Sequence, residues 1–405
     1  MTVPELLAPA GGERQLKAAV RFGADAVYLA LTRNGMRARA TNFDRDALKA
    51  AAAFCHAHSV RVYLTLNIFP RDEDIDSIVD DARFARQAGV DALIMADPGA
   101  IMAVARAVPG VEIHLSTQQS TLNAASARFW FDQGVRRIVL ARELTLSQIT
   151  GMRQRLGPTG ELEAFVHGAV CMAYSGRCAL SKYLTGRDAD RGDCAQPCRW
   201  RYRLEEQRRP GVYFPVEQTD EGVSLFSAGD LNMIRHIDLL CGAGLHALKI
   251  EGRMKNEYYV ATVVSAYRKA LDAVRDGRYT PEMKDQLSRE LDTVSHRPYD
   301  TGFYFGPPER PGGNDRLTQT REFCGAVLAY GAGRATVRVK RRLRQGDQLE
   351  LMTPAGVTAF TATDMRLMDG TPTADCAVPD TALTMPVPCP CEDGDLIRGE
   401  NLNHL

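Results

Sequence analysis

No stretch of this chain approaches the eighteen consecutive apolar residues that a membrane span needs. Its opening, MTVPELLAPAGGERQLKAAV, lacks the basic start and continuous apolar core of a secretory signal. These absences point to the cytoplasm. Excess charge is missing too: fifty Lys and Arg offset fifty Asp and Glu, so any nucleic-acid surface has to come from local segregation of charge. Neither the zinc-protease motif H-E-x-x-H nor the nucleophile elbow G-x-S-x-G occurs. What remains, 45% hydrophobic and 25% charged residues over 405 positions, is the balance of a globular protein with room for more than one domain.

The stretches FGADAVYLA (22–30), AGVDALIMAD (88–97), QGVRRIVLAR (133–142) and AGLHALKIEG (243–252) repeat one order: Gly, a short polar step, then an apolar run. Glycine suits the left-handed end of a helix, and the run that follows suits a parallel strand covered on both faces. ELLAPA (5–10), RVYLTLN (61–67), EIHLST (112–117) and ELEAFVHG (161–168) bring the strands to eight. Helical periodicity fills the gaps at 13–22, 44–57, 74–88, 98–107, 123–133 and 145–156, and returns at 256–275 after the last strand. Eight alternating units predict a TIM-type (β/α)8 barrel over residues 1–306, with an open doubly wound sheet as runner-up. PPERPGGND (307–315) marks a linker. Beyond it, 316–405 carries short alternating segments, which predict a small C-terminal antiparallel β-barrel.

The chain is well supplied with cysteine. In a reducing compartment, clustered thiols read as metal ligands or redox groups rather than as disulfides. Cys171, Cys178, Cys194 and Cys198 are separated by six, fifteen and three residues, inside a cysteine-rich insertion at 169–203. Structural zinc favours pairs two to four apart, which only the last pair provides, whereas iron–sulfur ligands are spaced more variably. Spacing leaves both open. The insertion follows the seventh strand, so it belongs to the active-site mouth of the expected barrel.

EAFVHGAVCMAYSGRCALS (163–181) resembles the signature of the peptidase U32 (collagenase-like) family at Glu163, Phe165, Gly168, Ala169, Cys171, Gly176, Cys178 and Ser181. The similarity extends to ELLAPAG, GADAVYLA, LKIEGRMK (248–255) and SHRPYDTGFYFG (295–306). It covers nearly the whole chain and is greatest for the tRNA-hydroxylating branch. The resemblance implies an oxygen-independent hydroxylase of the tRNA wobble uridine. It would carry a 4Fe-4S cluster on Cys171, Cys178, Cys194 and, less firmly, Cys198, with Cys241 as the spare ligand and prephenate as hydroxyl source. A U32-type peptidase is the alternative, in which His167 could activate Cys171. A zinc-stabilised RNA-binding module is the third reading.

Around the mouth, Lys249, Glu251 and Arg253 are the candidate catalytic residues, because a guanidinium there could grip a small-molecule carboxylate cosubstrate. His114, Gln118, Arg142 and Glu143 are further mouth residues, read first as scaffold. For tRNA, Arg338, Lys340 and Arg342 on one strand face and the arginines and aromatics of 199–209 are candidate contacts, with a solvated strand and linker equally open. Cys55 beside His56 and His58 makes a poor ligand set on a helix, Cys324 and Cys376 suit strand interiors, and the Cys389–Cys391 pair is a weak metal signal.

Overall fold

The computed structural model describes residues 3–36, 40–171, 173–200, 229–307 and 317–401, and the backbone of 218–219 and 222–223. Eight parallel strands form first: β1 (Glu5–Pro9), β2 (Ala26–Leu29), β3 (Arg61–Leu66), β4 (Ala92–Met95), β5 (Glu112–Leu115), β6 (Arg137–Val139), β7 (Glu161–Ala169) and, after β8 (Asp230–Asn232), β9 (Ala247–Ile250). They pair in chain order, and β9 pairs with both β1 (Leu6 opposite Leu248) and β7 (Leu248 opposite Ala164). The sheet therefore closes, which decides against the doubly wound alternative. The short strands β2, β4 and β9 are buried at every position, as strands covered on both faces must be.

The helices between them are α1 (Glu13–Arg21), α2 (Arg45–Ala57), α3 (Asp72–Gln87), α4 (Pro98–Ala107), α5 (Ala124–Asp132) and α6 (Leu146–Leu156). After the short α7 (Leu180–Thr185) and α8 (Ile237–Gly242) come α9 (Glu257–Arg275) and α10 (Pro281–Leu291). Side-chain caps fix several starts: Asp44, Asp97, Asn123, Thr145 and Asn256 each accept an otherwise unpaired amide of the first turn. Alternation along the strands splits the core. Leu6, Val27, Leu64 and Leu93 face the helices, whereas Leu7, Ala26, Tyr28, Tyr63, Ala92 and Ile94 form a separate cluster inside the barrel.

Residues 321–400 correct the expected second barrel. β11 (Arg321–Gly331), β12 (Arg334–Val339), β14 (Gln348–Thr353), β15 (Gly356–Thr361), β16 (Arg366–Leu367), β18 (Ala382–Pro386) and β19 (Leu396–Glu400) make one antiparallel sheet in the order β15-β14-β19-β11-β12-β18-β16. Its outer strands do not meet, so it is open. A two-stranded ribbon of β13 (Leu343–Arg344) and β17 (Asp375–Cys376) lies apart. The physical reason is that both faces of the sheet are already in use. Val327, Val337, Leu351 and Ile397 join the sheet's own core, while Ala326, Met352 and Leu396 pack into the core of the first domain. Arg398 pins the two together: it grips Glu290 of α10 at 2.6 and 3.0 Å and Glu350 of β14 at 2.7 Å.

Candidate active site

The barrel interior on β1 to β4 is apolar apart from Glu5 at the start of β1, whereas β5 to β9 carry most of the charge. Arg137, almost fully buried, reaches Glu5 at 2.6 Å, Glu161 at 2.9 Å and Glu163 at 3.4 Å. Lys249 closes the network as an ion pair with Glu163 at 3.0 Å, its ammonium also lying over the rings of Tyr28 and Phe165. These charges neutralise one another and plug the barrel, so chemistry is left to the mouth above them. Of the three predicted catalytic residues, Lys249 belongs to this plug. Arg253 is buried and points across to the Thr65 hydroxyl of β3 at 3.4 Å. Glu251 stands in the turn after β9, its amide donating to the His167 carbonyl at 2.9 Å.

Two backbone crossings hold the mouth together. A Cβ on Gly11 would lie 1.9 Å from the Arg253 carbonyl oxygen, and one on Gly168 would lie 2.3 Å from that of Glu251. The ELLAPAG loop, the end of β7 and the turn after β9 thus touch without side chains between them. Gly168 launches the cysteine loop, and Cys171 is exposed while Cys178, Cys194 and Cys198 are half-buried. The four are neighbours. Burial pushes the Cys198 thiol up, Arg199 opposes that shift, and Cys171, Cys194 and Cys178 add to it. Ser181 organises the loop from beneath, donating to the Arg187 carbonyl and accepting the Ala195 amide, both at 3.0 Å.

Beside the thiols lies a polar cluster that the sequence did not disclose. Asp230 of β8 stands opposite Ala169 in the antiparallel ladder, two residues from Cys171. Arg297 binds it through Nη2 at 2.5 Å and through its backbone amide at 3.2 Å. Lys255 donates to the Ser295 carbonyl at 2.9 Å, and burial lowers its pKa, with Arg297 and Arg199 adding to the push. His167 lies behind, buried among Tyr259, Tyr267 and Tyr299, and burial lowers its pKa to about 3. The imidazole is neutral at physiological pH and engages the Tyr267 hydroxyl at 3.4 Å. It works from inside the fold, whereas Cys171 faces solvent.

Comparison with known proteins fits this geometry. The profile of peptidase family U32 matches residues 11–314, and that of the peptidase family U32 C-terminal domain matches 319–398. The chain belongs to peptidase family U32. Family membership makes it an enzyme. It is 38% identical to tRNA hydroxylation protein P1 of Bacillus subtilis over 90% of this chain and 87% of that protein. It is 42% identical to an uncharacterized protease of Methanocaldococcus jannaschii over 75% of this chain and 74% of that one. With a collagenase of Porphyromonas gingivalis it shares 36% identity over 75% of this chain and 73% of that protein.

For this U32 chain the implied cofactor does not fit. Among the described residues no group of three or more His, Cys, Asp or Glu is placed to hold a metal ion, which overturns both the iron–sulfur-dependent hydroxylation of the wobble uridine and the zinc-stabilised module. The reason lies in the donors. Cys194 Sγ accepts the Gln196 amide of its own turn at 3.3 Å, and burial pushes the Cys198 thiol up, away from the thiolate that a metal takes. The 4Fe-4S cluster on Cys171, Cys178, Cys194 and Cys198 is therefore withdrawn. Prephenate goes with it, since the guanidinium expected to grip it, that of Arg253, is buried and turned to the Thr65 hydroxyl. Cys241, on α8, is half-buried and pushed up to about 11 by burial, the setting of a small packed side chain.

The remaining sequence candidates separate cleanly. His114 is buried and bonded to Glu112 at 2.8 Å, and Gln118 accepts from Asn67 at 2.8 Å. Arg142 covers the Phe165 ring at 3.8 Å and donates to the Ala169 carbonyl, so it braces the root of the cysteine loop. Glu143 is half-buried next to it, its pKa raised by burial. The basic strand is internally compensated: Arg338 lies between Glu257 and Asp380, Lys340 pairs with Asp380, and Arg342, past the strand end, pairs with Asp375. Residues 201–209 lie outside the described residues, as does the linker from 308 onward. No described helix is long and apolar enough to cross a membrane.

Proposed function

We propose that this U32 enzyme acts on tRNA, modifying it at the C-terminal mouth of the barrel. The observation that carries the reading is the extent of the match: the tRNA hydroxylation protein of Bacillus subtilis aligns across 90% of the chain, reaching from the barrel into the second domain. The mouth suits such a substrate chemically. Arg199, Lys255 and Arg297 gather cationic donors next to four thiols, and Trp200 and Tyr183 are exposed nearby on the same loop, where an unpaired base can stack. No step is routed through a metal cluster. The test is mass spectrometry of tRNA nucleosides from a deletion strain with and without the restored gene. One modified nucleoside should vanish on deletion and return with the gene. Identical nucleoside profiles in the two strains would refute the proposal.

Hydrolysis of a peptide bond is the second reading, and a specific observation favours it: the collagenase and protease relatives share 36% and 42% identity with the chain. It needs no metal, since the exposed Cys171 supplies a thiol at the mouth. Incubating the purified protein with fluorescent gelatin separates the readings. Cleavage that stops when Cys171 is alkylated supports the peptidase, and gelatin left intact through prolonged incubation removes it.

A further inference from the structure

The polar cluster beside the thiols holds more positive charge than its own residues satisfy. Arg297 spends Nη2 and its backbone amide on Asp230, while its buried Nε has no acceptor among the described residues. Lys255 gives one bond to the Ser295 carbonyl and rests over the Tyr259 ring at 4.8 Å. Arg199 donates to Gln196 of its own turn at 2.5 Å. Arg199 is exposed to solvent and lies within electrostatic reach of Arg297 and Asp230. Two carboxylates face these three cations, Asp230 and the half-buried Asp300, whose Oδ1 accepts the Gly302 amide. His167 and His296 are neutral, since burial lowers both. One positive charge is left over.

Like charges crowded in a poorly hydrated site are costly unless an anion joins them. We propose that Arg199, Lys255 and Arg297 form an oxyanion site whose ligand is a phosphate group. The three donors come from three separate segments, the cysteine loop, the turn after β9 and the strand approach before β10 (Tyr299–Asp300), which the pairing of β8 with both β7 and β10 brings to one end of the barrel. That arrangement matches the several acceptor oxygens of a tetrahedral phosphate, whereas a planar carboxylate is met by a single guanidinium fork. One surplus charge is what a phosphodiester neutralises. The phosphate belongs either to an RNA backbone, which rests on the tRNA reading, or to a free phosphate compound, which does not.

Isothermal titration of the intact protein at low salt, with inorganic phosphate and separately with a single-stranded oligoribonucleotide, tests this. Both should bind, and Arg199→Gln and Lys255→Gln should each weaken both by roughly tenfold or more, the loss of one charge-assisted hydrogen bond. Thermal unfolding of both variants should stay at the wild-type value. Because Arg297→Gln alone strands the buried Asp230, the third donor is tested in the pair Arg297→Gln with Asp230→Asn. Phosphate that binds and responds to the variants while RNA does not bind supports the site and removes the tRNA reading. RNA that binds equally to wild type and variants overturns the site and leaves the tRNA reading intact. If neither ligand binds, the site is overturned.

Discussion

Replacing Gly168 with alanine tests whether the mouth is set by backbone contact. Gly168 has φ +99°, a region that an L side chain rarely adopts, and the new methyl would sit 2.3 Å from the Glu251 carbonyl oxygen. The conformational part costs about 1–2 kcal/mol, and forcing an atom into a filled space adds about 1–3 kcal/mol. Together they predict a loss of about 2–5 kcal/mol, measured as ΔΔG from urea unfolding. Gly134→Ala is the control: φ is +87° there, but nothing lies within 4 Å of the added methyl. It should show only the conformational part. The steric part cannot be relieved by a rotamer change, because the opposing atom is backbone. The end of β7 must then move off the turn after β9, carrying Cys171 with it, so the labelling rate of Cys171 should change in Gly168→Ala and not in Gly134→Ala. Equal losses of stability in the two variants would refute the contact argument.

Removing Arg398 should loosen the second domain. In Arg398→Leu the carboxylates of Glu290 and Glu350 lose their shared partner, at a cost of about 3 kcal/mol, toward the lower end for a broken buried pair because both acids keep some exposure. Limited proteolysis should cut the 321–400 sheet earlier than in wild type, and an unchanged digestion pattern would sink the clamp. The histidine test concerns pH. The folded pKa of His167 is depressed to about 3, below the value near 6.5 of an unfolded chain, so the unfolded state takes up the proton first. Its contribution is complete above pH 6.5 and declines by about 1.4 kcal/mol per unit as pH falls toward 3. Urea midpoints of His167→Phe between pH 7 and 4 should fall less steeply than those of wild type, and parallel slopes would contradict the assignment. Alkylation followed by peptide mapping should mark Cys171 first. Cys55, pushed up to about 12, and Cys324, pushed up to about 11, should stay unmarked until the chain unfolds, and labelling of Cys55 in the native protein at the Cys171 rate would overturn the burial argument.

The barrel was legible because its signal is local and repeated. Each Gly-polar-apolar junction, such as GADAVYLA, states a helix end and a buried strand within nine residues, and all eight expected strands formed. The second domain shows the limit of that kind of reading. Alternation in ATVRVK and DQLELM announces strands with two different faces, yet a barrel and an open sheet share that alternation. Whether edges close depends on what covers the other face, and that was settled by Ala326, Met352 and Leu396 packing into the first domain, three residues no periodicity distinguishes. At the mouth, the cysteine loop declared itself by composition. Asp230, Lys255 and Arg297 did not, because they come from three places in the chain and carry meaning only once β8, the turn after β9 and the approach to β10 lie side by side. The charged segment 336–342 shows the opposite limit: its cations are visible in sequence, whereas Glu257, Asp380 and Asp375, which pair with them, are not adjacent to it.

The segment LKIEGRMK gathers its three cations within seven positions, and the fold sends each to a different depth. Lys249, still within β9, points into the barrel and answers Glu163 at 3.0 Å. Arg253, in the turn, lies under the mouth against Thr65, and its carbonyl leaves no room beside Gly11. Lys255, one step before the Asn256 cap of α9, reaches the Ser295 carbonyl two residues from Arg297. Strand alternation places the first, the tight backbone crossing the second and the start of a helix the third. Equal charge in one motif therefore does not mean equal role. Neutralising Lys249 strands a buried carboxylate and registers as lost stability, whereas neutralising Lys255 removes a donor that has hydrogens to spare and registers in ligand affinity. The proposed ligand site therefore draws on Lys255, while Lys249 in the plug beneath it serves the fold.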